Sequence, residues 1–297
     1  MTNGYAALRE GAGWIDLSAR ARFLVRGRDR ARFLHNVTSN DIKKMMPGSA
    51  CYAFLLTPQG RVQADVNLFC FPEHFLIDTE PELREKVPPL ILKYKVADQV
   101  EIEDITEKTG SIGVEGPQAP RLREAFAKDP EFTVVDATVT GQPGFRVISA
   151  IEKFPQLTRV AQAAGAIAAN ADEARAVRIE NGKPRYGEDI RESSLPQETQ
   201  QMHAVSFTKG CYLGQEIVER IRAQGHVNKL LVRLELESPD PPAPGAKLAV
   251  DGKEAGEVTS SVVSPKSGRG AALAIVRTPF AAAGTRLQSG AVSARVV

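Results

Sequence analysis

The clearest pattern along the chain lies in GRVQADVNLFCF, residues 60–71. There Val62, Ala64, Val66, Leu68 and Cys70 alternate with Arg61, Gln63, Asp65, Asn67 and Phe69. A period of two predicts a strand with one apolar and one polar face. CYAFLLTPQG precedes it, and Pro58 and Gly60 supply turn chemistry, so the two runs predict a hairpin. Asp65 then falls mid-strand on the polar face beside Gln63 and Asn67, where aspartate is disfavoured. Either that face is solvated or it lines a polar cavity.

Helical spacing takes over elsewhere. GRDRARFLHNVT predicts a short helix with Ala31, Phe33 and Leu34 toward the core. The segment ending in ARAVRIENG predicts another. Asn170 and Glu173 have capping-box spacing, Gly182 suits the position after the last turn, and Pro184 forbids continuation. SIGVEGP predicts a strand running into a turn. SPDPPAPGA, residues 238–246, holds four prolines and a glycine and predicts a linker or long turn. The glycine-punctuated apolar runs after it, KLAV, AGEVTSSVV and AALAIV, predict a small all-β module.

Composition narrows the class. The 297 residues suggest two domains, and 42% hydrophobic content is enough for a sizeable core. Thirty-eight basic residues against 36 acidic ones give no global field for nucleic acid or an anionic membrane. Three cysteines without CxxC spacing predict neither a disulfide framework nor a zinc site and fit a reducing compartment. The start of the chain has no signal-peptide apolar region, and no apolar run reaches membrane-spanning length. The expectation is a cytoplasmic protein. Residues 20–32 carry six arginines and one acid, which predicts either a polyanion-binding edge or a solvated face. Phosphate-loop, dinucleotide, zinc-protease and serine-hydrolase signatures are absent, and His35, His74, His203 and His226 lack metal-ligand spacing.

The candidate chemistry gathers in TKGCYLGQEIVER, residues 208–220. Cys211 stands between Gly210 and Gly214, just ahead of a segment with Ile217, Val218 and Ile221 at helical spacing. Glycines permit a sharp turn or a close approach. A helix N-terminus and the neighbouring Lys209 both favour a thiolate. Cys211 is thus either a reactive or ligating thiol or a turn cysteine whose glycines serve the fold.

KGCYLGQE resembles the K-G-C-[YF]-x-G-Q-E signature of the YgfZ family, matching at Lys209, Gly210, Cys211, Tyr212, Gly214, Gln215 and Glu216. FLHNVTSNDI, LTPQGRVQADV, RIENGKPRYGEDI with LPQE, and AGEVTSSVVSP are similar to further family segments, from about residue 15 to the end. YgfZ proteins are folate-binding factors linked to iron–sulfur cluster assembly and repair. They are paralogues of the glycine-cleavage T-protein, an aminomethyltransferase that lacks the cysteine motif.

The resemblance implies an α+β fold, with T-protein-like α/β subdomains around a central cavity over residues 1–228 and a C-terminal β-barrel over 229–297. It implies tetrahydrofolate or a one-carbon derivative as ligand. Asp65 matches the acid near the folate amine and Glu198 the glutamate that meets the pterin, where a carboxylate accepts from adjacent donors. The expected site is Cys211, Asp65 and Lys209 for chemistry, with Asp65, Glu198, Gln63 and Tyr212 holding folate and no metal ligands. Expected partners are the folate and iron–sulfur client or assembly proteins, with no direct nucleic-acid contact and no membrane. Effects on transfer-RNA thiolation or methylthiolation would be indirect. The alternatives are a folate-dependent aminomethyltransferase, which needs a lipoyl carrier, and a non-enzymatic scaffold.

Overall fold

The structure, a computed structural model, describes residues 2–225 and 227–297, so His226 lies outside the described residues. It contains two five-stranded sheets and a closed six-stranded barrel.

The first sheet orders its strands Ala50–Leu56, Val62–Cys70, Phe75–Thr79, Ala21–Arg26 and Glu101–Asp104, all antiparallel. The predicted hairpin is its core. Its register shifts at Leu55/Leu56, where Ala64 pairs with Leu55 and Val62 with Leu56, leaving Gln63 as the extra residue of a bulge. Val62, Ala64, Val66, Leu68 and Cys70 join Phe33, Leu34 and Val37 of the helix Arg30–Val37 in the largest apolar cluster. The opposite face is covered too. Phe69 packs with Leu76, Ile105, Val135 and Ile148, the last two from the second sheet. Both faces of this sheet are therefore buried at the Phe69 end, and of the polar positions Asp65 and Asn67 are turned toward the second sheet.

The second sheet orders Ile167–Ala169, Gly13–Asp16, Thr109–Glu115, Gly144–Ala150 and Thr133–Val135. Buried Asp78 of the first sheet pairs with buried Arg146 of the second, which ties the two together. The helix Ala171–Glu180 follows. Its capping box forms as predicted: Glu173 N–H donates to Asn170 at 2.9 Å and Asn170 N–H to Glu173 at 2.8 Å.

The barrel runs Lys229–Leu236, Gly270–Arg277, Lys253–Val263, Lys247–Val250, Arg286–Ser289 and Val292–Val296 around the ring. The proline-rich stretch 238–246 is a loop inside it, between its first two strands in sequence, and does not precede the barrel. Proline excludes this stretch from the ladder but does not mark where the barrel begins.

The arginine run 20–32 forms no single surface. Arg20 and Arg22 are buried, Arg26 pairs with Glu103 at 2.6 Å, and Arg32 pairs with Asp98 at 2.8 Å. Even spacing puts Arg22 and Arg26 on one face of the strand, but Arg22 is buried against Thr109 and the Leu17 carbonyl while Arg26 is exposed beside Glu103, so the charge run does not become a patch. Among the described residues no helix is long and apolar enough to cross a membrane, and no group of three or more His, Cys, Asp or Glu could hold a metal ion.

Candidate functional site

A cavity of about 330 Å³ opens between the two sheets. The first sheet and its flanks contribute Arg20, Tyr52, Asp65, Asn67 and Glu80. The second contributes Asp16 and Leu17. The helix Ala171–Glu180 and the turn after it close the cavity with Arg175, Arg178, Lys183, Arg185 and Glu188.

Asp65 is one of the acids that line it. The residue is 8% exposed, and Tyr52 donates its hydroxyl to Asp65 Oδ2 at 2.7 Å. Its backbone carbonyl accepts from Thr79 at 2.6 Å. Burial pushes the carboxyl up to about 6, and the negative charge of Glu80 adds to this, against the Tyr52 hydrogen bond and Arg20. Asp65 therefore exchanges a proton near neutrality. Tyr52 pairs with Asn67 across the hairpin and so shares the face that carries Asp65 and Asn67. His203 stacks on Tyr52, with centroids 5.4 Å apart.

Around this acid the charges are tightly paired. Arg20 donates to Asp78 at 2.8 Å and also to Glu80. Burial alone would raise Asp78, but Arg146 and Arg20 together hold it below the usual carboxylate range. Arg178 reaches Asp189 and Glu188, each at 2.7 Å. Asp189 in turn accepts from Thr259 at 2.6 Å and Ser260 at 2.7 Å on a barrel strand. One carboxylate thus joins the cavity wall to the barrel.

The cysteine motif occupies a different place. Lys209 is buried and donates its ammonium to the carbonyls of His35, Thr38 and Asn40, the last two at 2.7 Å. Burial, only partly opposed by Asp41, lowers its ammonium to about 8. Tyr212 is buried beneath it, with the ring centroid 4.8 Å from Lys209 Nζ. Cys211 is exposed. The helix Gln215–Gln224 begins after Gly214, whose φ is +80°. A Cβ at Gly214 would lie 2.5 Å from the Thr57 carbonyl, so the glycine lets the motif loop seat on the hairpin turn. Gly210 has open space around it, and its glycine answers no such contact.

Of the residues singled out from sequence, Asp65 lines the cavity. Gln63, Glu198, Lys209, Cys211 and Tyr212 are not among its lining residues. Glu198 is buried and accepts from the Leu195 N–H at 2.8 Å, capping its own turn. Gln63 accepts from Tyr186 at 2.7 Å and Lys86 at 2.6 Å through its carbonyl. Asn40 links the two regions: its carbonyl accepts from Lys209, and its amide donates to the Tyr52 and His203 carbonyls at 2.9 and 2.8 Å. Sequence reasoning missed Tyr52, whose place was readable from the hairpin register. It also missed Lys183, Arg175 and Arg178, which no local signal marks.

Two sheets enclosing a cavity, with a barrel joined to its wall, define a fold shared with known proteins. Residues 1–209 match the GCVT N-terminal domain and residues 229–297 the glycine cleavage T-protein C-terminal barrel domain. The chain belongs to this glycine-cleavage T-protein family. It is similar to an aminomethyltransferase of Rubrobacter xylanophilus, 31% identical over 92% of this chain and 78% of that one. An aminomethyltransferase of a Nostoc species is 28% identical over 97% of this chain and 83% of the relative. In structure the chain resembles the glycine cleavage system aminomethyltransferase T of Bartonella henselae. That match has a TM-score of 0.89 at 18% identity and covers 99% of this chain and 87% of that one, a likeness of fold.

Proposed function

We propose that this protein binds tetrahydrofolate, or a one-carbon derivative of it, in the Asp65 cavity and uses Asp65 on the folate amine that carries the one-carbon unit. The observation that carries this reading is the buried Asp65 carboxyl, oriented by Tyr52 and poised at about 6. A carboxylate beside an amine orients its lone pair and takes its proton as the nitrogen bonds to the carrier's methylene carbon, while that carbon's bond to the carrier sulfur breaks and the departing thiolate takes up the proton. It also stabilises the positive charge that develops on nitrogen. The activity this supports is folate-dependent aminomethyl transfer, in keeping with the names of the relatives. The test is turnover with tetrahydrofolate and an aminomethyl-loaded lipoyl carrier. Product from the wild type but not from Asp65→Asn supports the reading, and no product with a competent carrier removes the transferase activity.

One observation favours a second reading on the same folate site. Cys211 is exposed within a segment that resembles the YgfZ motif at seven of eight positions. An exposed thiol can ligate iron or exchange with a partner thiol. On this reading the folate-loaded protein supports assembly or repair of iron–sulfur proteins, and transfer-RNA thiolation responds only through cluster-bearing enzymes. Cys211→Ala would then bind folate normally but fail to restore cluster-enzyme activity in a deletion strain. Full restoration by that variant discards this reading.

A further inference from the structure

Five cationic side chains line the cavity, and four are already committed. Arg20 is held by Asp78 and Glu80, and Arg175 by Glu188 at 2.9 Å. Arg178 is held by Glu188 and Asp189, and Arg185 by Glu82 at 2.7 Å and Glu80 at 3.1 Å. Lys183 is the exception: among the described residues its ammonium has no carboxylate within ion-pair distance, and no hydrogen bond is formed by it.

Its position is nonetheless fixed. The Lys183 N–H donates to the Arg178 carbonyl at 2.8 Å, and its carbonyl accepts from Arg178 Nη1 at 3.2 Å. Pro184 follows and restricts the backbone of Lys183 further. The ammonium stands over the Tyr52 ring, 5.4 Å from its centroid. Asp65 holds the hydroxyl of that same ring. A negative and a positive group therefore flank a single tyrosine inside the cavity. Burial lowers the proton affinity of Lys183, while the nearby Asp65 charge raises it. A partly buried cation without a carboxylate partner is left free for a ligand to supply one.

We propose that Lys183 is the anion-binding residue of this cavity and receives a carboxylate of the molecules bound there, while Asp65 receives an amine. The identity of the amine rests on the folate reading above. The carboxylate has two sources: the glutamate of the folate itself, or a second, small amine substrate with the zwitterionic character of an α-amino acid. Either source gives the charge-assisted contact that the four arginines cannot offer, because their own carboxylates hold them.

The experiment is calorimetry on wild type, Lys183→Met and Lys183→Arg, with folding of each variant checked by circular dichroism. Each is titrated with tetrahydrofolate, with 6-methyltetrahydropterin, which carries no carboxylate, and with glycine as the small zwitterion. A loss of about tenfold or more in tetrahydrofolate affinity in Lys183→Met, with the affinity kept in Lys183→Arg and no such loss with 6-methyltetrahydropterin, supports the proposal and assigns the carboxylate to the folate. Unchanged folate affinity with loss of glycine binding in Lys183→Met also supports it and assigns the carboxylate to a second substrate. Wild-type affinities of Lys183→Met for every ligand overturn it. If the wild type binds no folate, the folate reading fails by itself. Lys183 is then judged by whether glycine or acetate shifts its ¹⁵Nζ resonance, and an unmoved resonance overturns the proposal.

Discussion

Asp65, the acid proposed to act on the folate amine, also bears on stability. Its pKa in the folded chain is about 6, above the ordinary 3.8, so the folded state binds the proton more tightly than the unfolded chain does. The sign follows: Asp65 favours folding below the ordinary pKa, and that contribution is lost as pH rises through about 6. A shift of this size corresponds to about 3 kcal/mol. Asp65→Asn removes the charge while its amide oxygen still accepts from Tyr52. The variant should melt higher than wild type at pH 8 and close to it at pH 4. A lower melting temperature at pH 8 would contradict burial as the cause of the shift. Glycine is needed at one of the two positions flanking Cys211. Gly214→Ala forces a Cβ into the Thr57 carbonyl at positive φ and should cost about 1–3 kcal/mol or more in denaturant unfolding. Gly210→Ala meets nothing and should stay within about 0.5 kcal/mol. Equal effects at the two positions would refute this account of the loop.

Between elements, buried charge does the joining. Asp78 of the first sheet is fully buried and shared by Arg20 and by Arg146 of the second sheet. Asp78→Ala strands Arg146 in the interior and should destabilise by about 3–5 kcal/mol, as removal of one partner of a buried pair does. A loss below 1 kcal/mol in chemical denaturation would show that water reaches Arg146. Asp189 plays the same part for the barrel through Thr259 and Ser260. At this scale the sequence was most informative where the signal is local. Alternation from Val62 to Cys70 predicted the strand, Asn170 and Glu173 predicted the cap, and short glycine-punctuated runs predicted the barrel strands. The start of the barrel at Lys229 escaped the composition shift, because its first strand precedes the prolines. The bulge at Gln63 also escaped, since a register shift belongs to the pairing of two strands rather than to either one.

For the molecule as a whole, the cavity proposed to bind folate is an enclosure that no segment forms alone. The hairpin supplies Tyr52 and Asp65, the second sheet and its flank supply Asp16 and Leu17, and the turn after the helix Ala171–Glu180 supplies Lys183 and Arg185. Asp65 was recognisable from sequence as an acid placed where a strand disfavours one. The paired arginines and Lys183 were not, because only the tertiary arrangement decides which cations meet carboxylates and which are left open. The same arrangement keeps Cys211 exposed and apart from the cavity lining, so the folate binding proposed for the cavity and the thiol role proposed for Cys211 are separable by mutation. The most direct measurement is anaerobic calorimetry of tetrahydrofolate with wild type, Asp65→Asn and Cys211→Ala. The account predicts binding by wild type and Cys211→Ala, and a loss of about tenfold or more in Asp65→Asn. Wild-type affinity in Asp65→Asn, or no binding by the wild type, would contradict it.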